Sequence, residues 1–261
     1  MIDSMGVDGS GLLVRRASAE FAGSAFLVIV VVGSGIAAER LSPDDTGLQL
    51  LENAAATAAG LAALVLAFGP VSGAHLNPVV SLADRAFGGL TNRLLGAYVV
   101  AQVAGAVTGA VVANLMFDLP AVEWSTRERS SAALWLGEIV ATIGLLVVIF
   151  AVARTGRAPV APFAVGAYIG GAYFFTSSTS FANPAVTVGR AFTDTFAGIE
   201  PASVPAFVAA QVAAALLAVV LIRYWYPDAA HVADDVVVPH GAAQAAGPSG
   251  NGAPHVEGVA R

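Results

Sequence analysis

Six long stretches limit what this chain can become: Val14–Ala38, Leu48–Gly69, Asn92–Phe117, Ser131–Ala153, Val160–Ser177 and Ala202–Tyr226 are built from Ala, Val, Leu and Gly with few charges. Crossing the hydrocarbon core of a bilayer takes roughly 20 apolar residues of helix. Backbone in lipid has no water to bond to, and solid apolar runs without alternation leave the helix as the spanning form. Composition agrees, with 57% hydrophobic and 11% charged residues, against about 25% charged in soluble domains. The expected class is an all-α membrane protein.

The sequence contains no cysteine, so disulfides, thiolate metal sites and thiol redox chemistry are excluded. Every basic side chain is Arg, and the net charge of −6 falls mainly in loops and tail. Arg15, Arg16, Arg85, Arg93, Arg154, Arg157 and Arg223 fall on the side of the N-terminus, whereas Arg40, Arg127, Arg129 and Arg190 fall on the other. By the positive-inside rule both termini are expected in the cytoplasm, in the cell (inner) membrane. The first apolar run is long and lacks a small-residue cleavage site, so it reads as a retained span. Residues 1–13 are then a short cytoplasmic segment.

The two halves repeat. Ala19-Glu20-Phe21 corresponds to Gly137-Glu138-Ile139, and Ala101-Gln102-Val103 to Ala210-Gln211-Val212. Between these lie Leu76-Asn77-Pro78-Val79 and Ala182-Asn183-Pro184-Ala185. Three spans per half is an odd number, so the second half enters from the opposite face. That is an inverted repeat, about 14–117 and 131–226, with its working site at the midplane. Each Asn-Pro reads as a helix start, Asn capping and Pro taking the first turn. The segments after them, too short to cross, read as re-entrant half-helices. Their electropositive ends and the amides of Asn77 and Asn183 would meet at one point of a pore, repelling cations and offering donors to a solute oxygen. Two unrelated turns are the simpler alternative, disfavoured because both Asn-Pro pairs sit at matching repeat positions. Glu20 and Glu138, inside spans, are read as braces for the re-entrant backbone, with proton relay as the other option; Gln102 and Gln211 are read the same way.

These segments, Ser72-Gly73-Ala74-His75-Leu76-Asn77-Pro78 and Phe181-Ala182-Asn183-Pro184-Ala185 above all, resemble the major intrinsic protein (aquaporin) family over about residues 14–226. The resemblance implies six transmembrane helices plus two re-entrant half-helices, a pore in each protomer and a homotetramer in lipid. It implies a constriction at Asn77, Pro78, Val79, Asn183, Pro184 and Ala185, with His75 as a structural residue near the cytoplasmic mouth. Two departures stand out. Val79 replaces the usual Ala, and Val186 stands where water channels carry an Arg. Carrying the family's filter over by spacing gives Thr57, Gly171, Ser180 and Val186, a set without aromatic ring, imidazole or guanidinium. Such a filter would be wide and weakly polar. Arg190, one turn beyond Val186, either lines the outer vestibule or, more simply, snorkels to the interface. The run Thr176–Ile199 resembles a bacterial branch associated with arsenic resistance, which implies arsenite as the neutral trihydroxide.

The expected function is a passive channel for small neutral solutes, metalloid hydroxides or glycerol, with some water. A proton-coupled transporter working through Glu20 or Glu138 and a strict water channel are the alternatives. No enzyme, cofactor, metal site or nucleic-acid partner is expected. Residues 227–261, polar and Gly/Pro-rich with His231, His240 and His255, read as a disordered cytoplasmic tail rather than a metal site.

Overall fold

The computed structural model describes residues 9–154 and 157–226; the tail 227–261 with its histidines, and residues 1–8 of the N-terminal segment, lie outside them. Eight helices follow in order: α1 Gly9–Leu41, α2 Thr46–Ser72, α3 Pro78–Phe87, α4 Asn92–Met116, α5 Ala132–Arg154, α6 Ala161–Phe175, α7 Pro184–Gly189 and α8 Val204–Trp225. Five of them (α1, α2, α4, α5 and α8) are long and apolar enough to cross a membrane. The sixth span, α6, has 15 residues, about 22 Å at 1.5 Å per residue. A 3₁₀ turn, Ala158–Val160, precedes it. The spacing-based boundary at Ser177 runs two residues too far, because the chain leaves the helix at Thr176.

Local chemistry sets the ends. Asp45 caps α2 by accepting from Leu48 N at 2.9 Å, and Gly73, at φ 88°, closes it by donating to Gly69 O. Only a residue tolerant of left-handed backbone fits that stop. α3 and α7 start at Pro78 and Pro184, each capped by the preceding Asn.

The halves are built alike. α1 packs on α2 and α4, as α5 packs on α6 and α8, and α2 meets α6 between them. Close approach of α1 and α4 depends on Gly105 and Gly109, where a side chain would strike the Phe21 and Ala25 carbonyls. Small residues four apart allow backbones this near. Outward, Phe26, Leu66, Phe163, Leu216 and Val220 are exposed. An apolar exterior of this kind suits lipid and not water. The fold is therefore an all-helical, multi-pass membrane bundle of six spans and two half-helices in an inverted repeat.

Candidate functional site

The stretches leading into the half-helices are non-helical and strained. Ala74 and Leu76 in the first, and Thr179, Ser180 and Ala182 in the second, have φ between 45° and 61°. Non-glycine residues enter this left-handed region at a cost of roughly 1–3 kcal/mol each. Buried hydrogen bonds offset that cost. The Glu20 carboxylate accepts from Ser72 Oγ at 2.6 Å, His75 N at 3.0 Å, Leu76 N at 2.7 Å and Gln102 Nε2 at 2.7 Å. The Glu138 carboxylate accepts from Phe181 N at 2.9 Å, Ala182 N at 2.8 Å and Gln211 Nε2 at 2.6 Å. Each Gln also donates to the half-helix it faces, Gln102 to Ser81 Oγ and Gln211 to Thr187 Oγ1. All four side chains are fully buried. Two mirrored circuits thus fix two loops, and both carboxylates are fully engaged in them.

The half-helix tips meet. Asn77 Oδ1 accepts from Val79 N, and Asn183 Oδ1 accepts from Ala185 N and Val186 N. Asn77 Nδ2 donates to Ala182 O, and Asn183 Nδ2 donates to Leu76 O, both at 2.8 Å. An amide nitrogen has two donors, so each Asn keeps a second N–H for the cavity it lines. Pro78 and Pro184 begin the helices behind the two tips, and the small buried Val79 and Ala185 pack there.

That cavity, about 60 Å³, lies between the halves and is lined by both. Leu27, Val31, Leu61, Val65 and Ile149 make an apolar wall. His75, Asn77, Asn183 and Ser180 are its polar lining residues near the half-helix tips. His75 Nδ1 lies 3.0 Å from Ser81 Oγ, and its Nε2 lies 3.7 Å from Asp84 Oδ2.

Of the four residues assigned to the filter by spacing, Thr57, Ser180 and Val186 line the cavity and Gly171 does not. Gly171 is exposed on the outer face of α6, where an added Cβ would touch only the Phe175 ring at 3.8 Å. Val165, Ile169 and Tyr173, four residues apart, are the α6 side chains that turn inward. At about 100° per residue, two positions rotate a side chain to the far side of the helix. Tyr173 takes the inward place and donates to Thr57 Oγ1 at 3.2 Å. Beside the filter residues expected to lack an aromatic ring and a guanidinium, two residues bring both kinds of group to the cavity. The Phe181 ring lines the cavity, and so does Arg190, which is 2% exposed. The Arg190 guanidinium lies 3.4 Å from the Phe181 ring centroid, and its Nε donates to Ala197 O. Snorkelling is therefore not its arrangement. A 3₁₀ turn at Arg190–Phe192 ends the half-helix and directs this side chain inward.

Beyond Arg190, on the face away from the start of α1, Arg127 and Arg129 line the mouth. Burial first, and the charge of Arg127 second, push the Arg129 guanidinium down to about 10, so it stays charged at neutral pH.

This geometry, an apolar membrane bundle with a cavity at the meeting point of two capped half-helices, is that of a transmembrane channel. Comparison with known proteins agrees. The major intrinsic protein family profile matches residues 10–180, and the chain belongs to that family. It is 51% identical over 212 residues to the aquaglyceroporin AqpS of Rhizobium meliloti (strain 1021), covering 81% of this chain and 90% of that one. It is 31% identical to the glycerol uptake facilitator protein of Pseudomonas aeruginosa, covering 72% and 77%. The aquaglyceroporin structure from Plasmodium falciparum shares the fold, with a TM-score of 0.64 at 20% identity over 83% of this chain and 98% of that chain. The chain is a channel and not an enzyme.

Proposed function

We propose that the protein is a passive pore for small uncharged polyols and metalloid trihydroxides, glycerol and arsenite in particular, with water passing as well. One observation carries this. A cavity lined from both halves combines the apolar side chains of Leu27, Val31, Leu61, Val65 and Ile149 with the free amide N–H groups of Asn77 and Asn183 and the Ser180 and Thr57 hydroxyls. A polyol or trihydroxide likewise combines an apolar carbon or metalloid part with hydroxyls. The names of the relatives, an aquaglyceroporin and a glycerol uptake facilitator, support the same substrate class.

Thr57, Tyr173, Ser180, Phe181 and Val186 form the outer constriction, with Arg190 above it; the Asn pair forms the inner one. The electropositive half-helix tips and Arg190 exclude cations. A strict water channel fits less well, because Val186 adds no polar group at the outer constriction. Proton-coupled transport fits less well too, since Glu20 and Glu138 are buried away from the cavity in fixed hydrogen bonds. The Arg distribution and the apolar exterior support a place in the inner membrane with both termini cytoplasmic, and membership of the family supports a homotetramer.

Stopped-flow permeation in proteoliposomes tests the reading, comparing water, glycerol, urea and arsenite for wild type and Val186→Arg. A second guanidinium one turn below Arg190 narrows the constriction, so glycerol and arsenite flux fall before water flux does. Unchanged glycerol and arsenite flux would contradict this placement of the filter.

A further inference from the structure

The mouth beyond Arg190 has a composition that transport of neutral solutes does not require. A cavity of about 200 Å³ opens there, bordered by Arg127, Arg129, Arg190, Thr46 and Thr179. Two of the three guanidiniums are held through Nε. Arg190 Nε donates to Ala197 O, Arg129 Nε donates to Gly198 O at 2.9 Å, and both guanidiniums lie over the Phe181 ring. Among the described residues, their terminal nitrogens make no hydrogen bond. Those nitrogens are not fully sealed, and both side chains border the cavity.

Acidic groups nearby are already engaged. Glu39 pairs with Arg127 at 3.7 Å and accepts from Phe196 N at 2.9 Å. Asp194 accepts from Thr126 N and Oγ1. Glu138, deeper in the molecule, is held by its loop. Three positive charges, two of them fixed, therefore border one cavity, and the Glu39 carboxylate pairs with the third. Guanidinium forks held at fixed positions match the geometry of oxyanions, and charge-assisted bonds are about twice as strong as neutral ones. At about 30 Å³ per water, the cavity has room for a small oxyanion and several waters.

We propose that this mouth is a binding site for a small oxyanion, held by the terminal nitrogens of Arg129 and Arg190 with Arg127 and the Thr46 and Thr179 hydroxyls around it. Arg190 borders both this cavity and the pore. An anion on it stands in the path of neutral solutes and lowers their flux, a consequence that rests on the permeation reading above. Binding itself does not rest on that reading.

Two arms keep the claims apart. Isothermal titration of the detergent-solubilised full chain with inorganic phosphate is expected to give a dissociation constant of about 1 mM, the range that two charge-assisted contacts supply. Arg129→Gln is expected to weaken it about tenfold, and Arg127→Gln to weaken it by a smaller factor. Arg127 is exposed, so that variant tests the site if Arg129→Gln does not fold. In proteoliposomes, phosphate on both sides lowers glycerol flux relative to chloride at matched ionic strength and pH. The ratio of the two fluxes moves toward one in both variants. No heat of binding in wild type, or equal affinities in wild type and both variants, overturns the site. Binding without loss of flux overturns its position on the path. If no solute crosses in any buffer while phosphate still binds, the permeation reading fails and the site stands.

Discussion

Asn77 and Asn183 are interlocked: each donates its Nδ2 to the carbonyl of the residue before the other, at 2.8 Å in both directions. Each is also the cap of its own half-helix. Replacing either by Ala removes a cap, worth about 0.5–2 kcal/mol, together with one of two bonds across the same junction. The double replacement is therefore expected to cost less than the sum of the single ones, since each single change already loosens the shared junction. Thermal unfolding of Asn77→Ala, Asn183→Ala and the double variant in detergent measures this.

Tyr173 and Thr57 make another tie between the halves. Tyr173→Phe removes only the hydroxyl and is expected to cost about 1 kcal/mol while the order of solute permeation stays the same. Tyr173→Ala empties the inward face of α6, and polyols larger than glycerol are expected to gain flux relative to glycerol. A solute series in stopped-flow light scattering separates the two outcomes.

Glu20 is bound to a backbone that leaves it no freedom to carry protons. Glu20→Ala strands the His75 and Leu76 amides, at about 1–3 kcal/mol for each buried donor left unpaired. A marked fall in Tm is expected, larger than for Glu20→Gln, which keeps an acceptor oxygen. Glycerol flux through wild type is expected not to change when a pH gradient is imposed. Flux that follows the gradient would favour coupled transport.

Glycines on α4 divide by what surrounds them. Gly105→Val drives a side chain into the α1 backbone at Phe21, and overpacking of this kind costs about 1–3 kcal/mol or more. Gly96, on the same helix, has nothing within 4 Å of an added Cβ. Gly96→Ala is expected to raise stability by up to about 1 kcal/mol through helix propensity. Melting curves of the two variants check both directions.

The spans were legible because lipid demands apolar length, and the half-helices because Asn-Pro occurs twice at matching repeat positions. Glu20, Glu138, Gln102 and Gln211 were legible as polar residues that a membrane interior must satisfy. The filter was only partly so. Counting back from Asn183 to Gly171 assumes a fixed number of residues between α6 and α7, and an error of two positions reverses the face. Tyr173 lay within reach of a different signal, the four-residue spacing with Val165 and Ile169. The inward turn of Arg190 follows from a 3₁₀ ending that no local motif announces. Its burial depends on Phe181 and Ala197, brought near only by the folded loop.

The chain has no cysteine, which makes its own path directly testable by single substitutions. Val186→Cys places a thiol in the cavity, and Gly171→Cys places one on the outer face of α6. Treatment with a small thiol-reactive methanethiosulfonate, followed by glycerol permeation in proteoliposomes, reads the path. A pore between the two Asn-capped half-helices predicts that the reagent abolishes most flux through Val186→Cys and spares Gly171→Cys and wild type. Full glycerol flux through a completely labelled Val186→Cys would contradict it.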